Sequence, residues 1–287
     1  MARYRRILAF DIGGTGLKAA IVGPTGKFLS EKLRLETPHP CPPKLMVKLL
    51  SGMVKPLGTF DAITIGFPGY VKNGVVHTAP NLGTRDWAGF VLEEALAMAL
   101  GKPARLRNDA DVQGLGAIKG KGLEMVVTLG TGFGTAWFED GGLLPHLEFA
   151  HVPMHHKHDF DAYIGEEQRK AISVTKWNKR VKRALEILRV VFNYDHLYIG
   201  GGNARRITFK LPANASIISN DDGMIGAAFV WNSRSLPSSR ARSARTGELP
   251  VAALAMRRAE GAKKKTSAKR KPPGKPTRPK TARRRSA

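Results

Sequence analysis

Two short loops rich in glycine and threonine constrain this chain more than any other feature. Each directly follows an apolar run of strand character. The first, Asp11-Ile12-Gly13-Gly14-Thr15-Gly16, follows Ile7-Leu8-Ala9-Phe10; the second, Leu129-Gly130-Thr131-Gly132-Phe133-Gly134-Thr135, follows Met125-Val126-Val127-Thr128. Glycine lets the backbone come close to a ligand and turn its N–H groups toward it. Threonine adds hydroxyl donors. Taken singly, such a loop is most often only a tight turn. Two of them, on different strands, can grip one phosphate chain from both sides, which points to phosphoryl transfer.

Neither loop is followed by the Gly-Lys-Ser/Thr of a P-loop. Gly13, Gly14 and Gly16 also miss the G-x-G-x-x-G spacing of a dinucleotide fingerprint. Lys18–Val22 reads instead as a second strand, so the first loop is a hairpin turn of the kind that cradles phosphate in the actin-like ATPase fold. Strand and helix patterns alternate through residue 232. The expected meander is Ile7–Phe10, Lys18–Val22 and Phe28–Leu33. Helices are expected over Leu45–Val54, Val91–Leu100, Ala110–Ala117, Trp177–Phe192 and Asp222–Trp231. The expected fold is α/β: a two-lobed actin-like ATPase (ribonuclease H-like) architecture with an interlobe cleft, the usual place for a small ligand. The lobes are expected at 1–117 and 118–232, followed by a basic tail at 233–287.

Charge is distributed unevenly. The chain has 287 residues and a formal charge of +24, of which +16 falls in residues 233–287 and +8 in the rest. The tail is rich in Lys, Arg, Ala, Ser and Pro, with no aromatic residue after Trp231. Such a segment buries too little apolar surface to offset its ordering entropy, so it is expected to be disordered. Its composition suits a polyanion, either polyphosphate or nucleic acid. No apolar stretch reaches membrane-spanning length, and the first residues lack a secretory signal pattern, so a cytoplasmic location is expected. The single cysteine, Cys41, lies among prolines and reads as a loop residue.

Candidate chemistry lies in three places. Asn108-Asp109-Ala110-Asp111 follows a strand and opens a helix. Phosphoryl transfer to an alcohol needs a carboxylate that accepts the hydroxyl proton, and Asp109 fits that role. Asn and Asp are also the preferred helix N-caps, which is the competing reading. Glu148 and His151, three apart, can accept from and donate to adjacent sugar hydroxyls, or form a polar loop. His155, His156 and His158 are dense enough to suggest zinc, but no cysteine lies near them, and a polar surface loop is the better reading.

These stretches together resemble the ROK family of sugar kinases and repressors, and most closely its polyphosphate glucokinase branch. The likeness runs over residues 5–231 and is carried by AFDIGGTGLKAAIV (9–22), IGFPGYV (65–71), TAPN (78–81), RNDADVQGLG (107–116), VTLGTGFGTA (127–136), LEFAH (147–151), YIGGGNARR (198–206) and GMIGAA (223–228). The resemblance implies a glucose 6-kinase using polyphosphate, with an ATP-only glucokinase or hexokinase as alternative and a sugar-sensing nucleic-acid-binding protein as the alternative of another class. It implies Asp109 as general base. Gly69, Asn81, Asn108, Glu148 and His151 would hold the sugar, and Asp161 stands where the family has a further sugar-binding Glu. Asp11, Gly13, Gly14, Thr15, Gly130, Thr131 and Gly132 would surround the phosphate with Mg²⁺, carried at Asp11 directly or through water. Gly200, Gly201 and Gly202 lie where ATP-using members contact nucleotide. A homodimer is implied as well. Three departures stand out. The cysteine-rich zinc motif that most members carry after Glu-x-Gly-His is missing, so no structural zinc is expected. Ala150 replaces the glycine of that motif, and no helix-turn-helix precedes Asp11.

Overall fold

The alternation of strands and helices resolves into two five-stranded sheets of the same topology. The computed structural model describes residues 4–231, so the tail expected to be disordered, 233–287, lies outside the described residues. The first half contains β1 (Ile7–Ile12), β2 (Gly16–Val22), β3 (Leu33–Glu36), α1 (Pro43–Met53), β4 (Ala62–Phe67), β5 (Val71–Lys72), β6 (Val75–Val76), α2 (Thr84–Trp87), α3 (Leu92–Leu100), β7 (Ala104–Asn108) and α4 (Asp109–Ala117). The second contains β8 (Leu123–Leu129), β9 (Phe133–Glu139), β10 (Gly142–Leu143), β11 (Pro153–His155), β12 (His158–Asp159), α5 (Phe160–Ile164), α6 (Glu166–Ala171), α7 (Val174–Phe192), β13 (His196–Gly200), β14 (Ala215–Ile217) and α8 (Asp222–Ile225).

The sheet orders are β3-β2-β1-β4-β7 and β10-β9-β8-β13-β14. In each, an antiparallel hairpin leads into two parallel strands. Ile12 pairs with Leu17 at the tip of the first hairpin and Leu129 with Phe133 at the tip of the second. The two glycine loops therefore occupy equivalent places. Strands β1, β4 and β7 run parallel, so Asp11, the Phe67–Gly69 turn and Asn108 share one sheet edge. Ligands of open α/β sheets bind outside such carboxyl ends. The fold is that of the actin-like ATPases.

Each sheet has its own apolar core on one face. Phe10, Phe67, Trp87 and Leu106 belong to the first core, and Phe133, Phe160, Trp177 and Leu188 to the second. Helix α7 covers the second sheet with Trp177, Val181, Ala184, Leu185 and Leu188, a stripe of helical period. Ser173 caps its first turn, and Asn193 ends it in the left-handed conformation (φ 49°). A third core joins the halves: Ile7, Ala9, Ala20 and Val22 meet Val112, Val126, Phe138, Ala227 and Val230. Helix α4 and the closing segment α8–Trp231 form this central layer. The closing segment is tied to the first sheet, for Thr64 Oγ1 donates to the Ala227 carbonyl at 2.9 Å and Trp231 Nε1 to Thr64 Oγ1 at 2.9 Å.

Three expectations change. The third strand is Leu33–Glu36 rather than Phe28–Leu33, because the Ser30 hydroxyl takes the Ile21 N–H and leaves Phe28 only an isolated bridge to Val22. The closing helix is one α-turn that tightens at Gly226 into a 3-10 run to Trp231. The stretch before α7, expected to be irregular, holds the β11–β12 hairpin and two short helices. Among the described residues no helix is long and apolar enough to cross a membrane.

Candidate active site

The first glycine loop is held by its own carbonyls. Gly13 N–H closes the turn on Gly16 O at 2.9 Å, Thr37 Oγ1 donates to Gly13 O at 2.7 Å, and His39 Nε2 lies 2.7 Å from Gly14 O. A Cβ added at Gly14 would sit 3.0 Å from Asn81 Cβ and 3.7 Å from Thr131 Oγ1. A side chain there would crowd Asn81, and this position is where the two glycine loops and the Asn81 segment converge. Asp11 opens the loop, with Lys18 Nζ at 2.7 Å from the opposite strand of the hairpin.

The second loop is bracketed from three sides. Asp161 accepts the Phe133 N–H, Glu166 N–H donates to Thr131 O at 3.0 Å, and Asn203 Nδ2 donates to Gly130 O at 3.2 Å and Glu166 Oε2 at 2.7 Å. Arg169 forks onto Glu166 at 2.6 Å through Nε and Nη2. That guanidinium holds the Glu166 carboxyl well below its usual range, at about 2. Asp161, expected on the sugar, borders the cleft but spends one carboxylate oxygen on the loop backbone. Burial pushes its pKa up.

Asn108 and Asp109 divide the work that sequence left open between them. Asn108 is the N-cap of α4: its Oδ1 accepts from Ala110 N–H at 2.8 Å, while Nδ2 donates to Gly69 O at 3.1 Å. It therefore fixes the Gly69 turn against the helix start. Asp109 is the first helical residue, and its Oδ1 also accepts from Ala110 N–H at 2.8 Å. Burial and the nearby Asp11 carboxylate push its pKa up to about 7, against the opposing pull of the Ala110 N–H and His146. A carboxylate so poised can take a proton near neutral pH.

A run of alternating acids and histidines leads from Asp111 on α4 to Asp159 on β12, with His146, Glu148 and His151 lining the cleft between them. Asp111 Oδ1 lies 3.1 Å from His146 Nδ1, and His146 Nε2 lies 3.0 Å from Glu148 Oε1. Glu148 Oε2 lies 3.6 Å from His151 Nε2, and His151 Nδ1 lies 3.2 Å from Asp159 Oδ2. The 3.6 Å gap is too long for a good hydrogen bond. A hydroxyl placed there can accept from His151 and donate to Glu148.

These groups line one cleft of about 730 Å³. Of the residues expected at the site, all but one border it: Asp11, Gly13, Gly14, Thr15, Gly69, Asn81, Asn108, Asp109, Gly130, Thr131, Gly132, Glu148, His151, Asp161, Gly201 and Gly202. The exception is Gly200, buried at the end of β13, where a Cβ would press on the Gln113 amide at 2.7 Å. Packing on α4, not ligand contact, explains that glycine. Sequence reading missed His146, Lys18, Arg34 and the Arg205–Arg206 pair, all on the cleft wall. For His146 a signal existed: it flanks Leu147 with Glu148, and residues two apart in extended chain face the same way.

Residues 7–157 match the sequence profile of the ROK family. The chain belongs to the ROK family. A polyphosphate glucokinase from Mycobacterium tuberculosis (strain CDC 1551 / Oshkosh) is 31% identical to this ROK chain over 242 residues, 79% of this chain and 91% of the relative. One from Mycobacterium leprae (strain TN) is 31% identical over 248 residues, 78% and 74% of the two chains. Among solved structures, an inorganic polyphosphate/ATP-glucomannokinase from Arthrobacter sp. strain KM superposes with a TM-score of 0.72 at 29% identity, over 79% of this chain and 98% of the other. A ROK glucokinase from Streptomyces griseus, solved with glucose and AMPPNP, matches in fold with a TM-score of 0.66 at 20% identity over 78% of this chain and 98% of that one.

Proposed function

We propose that this ROK chain is a glucokinase that transfers a phosphoryl group to the 6-hydroxyl of glucose, with inorganic polyphosphate as favoured donor and ATP as the alternative. The observation that carries the reading is Asp109, a carboxylate with a pKa of about 7 on the floor of a cleft bordered by two glycine loops. Asp109 accepts the proton of the 6-hydroxyl as that oxygen attacks the terminal phosphorus. The bridging oxygen leaves with the shortened donor. Glu148 and His151 bind neighbouring hydroxyls and aim the sugar. The loop amides and Thr131 hold the transferred phosphate.

A divalent cation fits this site in one manner only. Asp11 is a single carboxylate already neighboured by Lys18, too few ligands for an all-protein cage but suited to Mg²⁺, which keeps its waters and shares phosphate oxygens. Magnesium, when bound, neutralises charge on the transferred phosphate. Asp11 would hold it directly or through water.

The preference for polyphosphate draws support from the cleft wall. Arg205 and Arg206 are exposed at the cleft, next to Gly201-Gly202, and neither pairs with a carboxylate among the described residues. Lys18 and Arg34 face the same cleft from the first half. Such a wall suits a donor with charge along its length. The relatives named for polyphosphate, which span most of this chain, support the same reading. A homodimer belongs to this proposal on the family resemblance alone, and a cytoplasmic location on the sequence expectation alone. The deciding experiment supplies purified protein and glucose with polyphosphate or ATP separately and quantifies glucose 6-phosphate. A higher kcat/KM with polyphosphate is expected, and Arg205→Ala with Arg206→Ala should raise KM for polyphosphate more than for ATP. Turnover with ATP alone would overturn the donor assignment, and no turnover with either would overturn the activity.

A further inference from the structure

His146 is the most constrained titratable group of the cleft outside the residues already given roles. Its side chain is only 10% exposed, and the Asp111 side chain beneath it 5%. Both ring nitrogens face carboxylate oxygens, at 3.1 and 3.0 Å. An ionised carboxylate only accepts hydrogen bonds, and a neutral imidazole has one donor. Two contacts of this length to two carboxylates therefore call for an imidazolium. The ring also lies near-parallel to Tyr70, with centroids 6.1 Å apart, which sets its plane.

We propose that His146 is a positioning residue held as a permanent imidazolium, which locks Glu148 for sugar binding and places a fixed positive charge beside Asp109. The proposal rests on the glucokinase reading for its substrate. Asp111 lies in the first turn of α4, two residues after Asp109, and Glu148 lies in the loop just before the 3-10 turn Phe149–His151. His146 thus couples the element that carries the base to the loop that carries the sugar ligand. It takes Glu148 Oε1 and leaves Oε2 turned toward His151. The groups that face His146 are Asp111 and, across the cleft lining, Asp109 from α4, Glu148 from its own loop and the Tyr70 ring from the turn after β4. Asp109 is faced by Asp11, Asp111 and His146. The two carboxylates hold the His146 pKa up to about 10 against the effect of burial. In return, the imidazolium draws the Asp109 pKa down.

Nitrogen-15 NMR of the unmodified protein tests the charge directly. At pH 8 both ring nitrogens of His146 should be protonated, and Asp111→Asn should lower the titration midpoint by at least about one unit, the scale set by one adjacent charge. Kinetics test the role. His146→Gln keeps a side-chain donor but loses the charge. It should raise KM for glucose about tenfold, cost less in kcat, and move the acid limb of kcat/KM to higher pH by about one unit. A merely structural histidine would lower stability without moving that limb. If His146→Gln folds poorly, Asp111→Asn carries the glucose KM expectation alone: it frees the ring from α4, but it also removes a carboxylate that raises the Asp109 pKa, so its acid limb should stay or move to lower pH. A neutral His146 at pH 8, an acid limb unmoved in a folded His146→Gln, or a glucose KM unmoved in whichever variant folds would overturn the proposal. Calorimetry of the unmodified protein with glucose separates the two failures: no glucose binding there sinks the glucokinase reading, whereas normal binding with unmoved variants sinks the His146 role alone.

Discussion

Asp109 carries opposing demands, because the burial that would tune it for the proposed role of base also makes its ionised form costly. Asp109→Asn is expected to cut kcat at least ~10²-fold, the lower end for removal of a general base, with the fold intact by circular dichroism. Turnover within a few-fold of the parent would remove Asp109 from the mechanism. The raised pKa has a stability consequence of definite sign. The folded state holds the Asp109 proton up to about pH 7, whereas the unfolded chain releases it near 3.8. Stability is therefore lost as pH rises across that window and stays low above it. Asp109→Asn should accordingly be more stable than the parent at pH 8, by about 1 kcal/mol or more, and nearly equal to it at pH 4; equal melting temperatures at pH 8 would contradict the assigned burial and repulsion by Asp11. In kinetics, kcat/KM should fall on the acid side with a midpoint near 7. Much of this was legible in sequence, because Asn108-Asp109 follows a strand and opens a helix. What sequence left open was which of the pair caps the helix. The structure gives the cap to Asn108 and frees one oxygen of Asp109 for the cleft. The tie of Asp161 to Phe133 was not legible, since it joins residues 28 apart in sequence across a turn.

At the scale of elements, the central layer depends on close helix approach. A Cβ at Gly226 would run into the Val112 carbonyl, and one at Gly116 into the Asp222 carbonyl, so α4 and the closing segment meet backbone to backbone. Gly226→Ala should cost about 1–3 kcal/mol through overpacking, a fall of roughly 2–10 °C in Tm for a domain of this size. An unchanged Tm would mean that the layer gives way freely. The β11–β12 hairpin makes a different point. His155 packs on His156 and Tyr163, at ring centroids of 4.2 and 5.1 Å, and the Arg180 guanidinium lies 4.1 Å from the Tyr163 ring. Among the described residues no three of His, Cys, Asp or Glu stand together as a metal-holding group here. Chelation is therefore expected to leave Tm unchanged, and metal analysis to find no zinc; a stoichiometric zinc whose removal unfolds the protein would reverse this reading. Long periodic elements were readable because burial writes its period into sequence, as in α7. The third strand was not, because one hydroxyl, Ser30, decides where pairing resumes. The short helices of 160–171 carry no such period and are fixed by contacts to the second glycine loop.

For the whole molecule the largest quantity is charge. Two thirds of the +24 lies in residues 233–287, outside the described residues, attached directly after the segment that closes the central layer. The cleft carries Arg205 and Arg206 without carboxylate partners among the described residues, so on the proposed reading the body and the tail would favour the same class of ligand. Binding of a polyanion to clustered Lys and Arg proceeds through counterion release and weakens steeply with salt. A basic segment on the same chain as the cleft would raise the local concentration of a donor long enough to reach both. ATP is too short to gain from this. Truncation after Trp231 is therefore expected to raise KM for long-chain polyphosphate severalfold at low salt, with kcat and the ATP kinetics nearly unchanged. The difference should vanish at about 1 M salt, where the Debye length falls to about 3 Å. Short polyphosphate should resemble ATP, because a donor confined to the cleft touches only Arg205, Arg206 and their neighbours. If the truncated protein handles long polyphosphate as well as the full chain does, the tail has no part in donor capture. Loss of DNA or RNA binding in the same truncation would then assign its charge to nucleic acid.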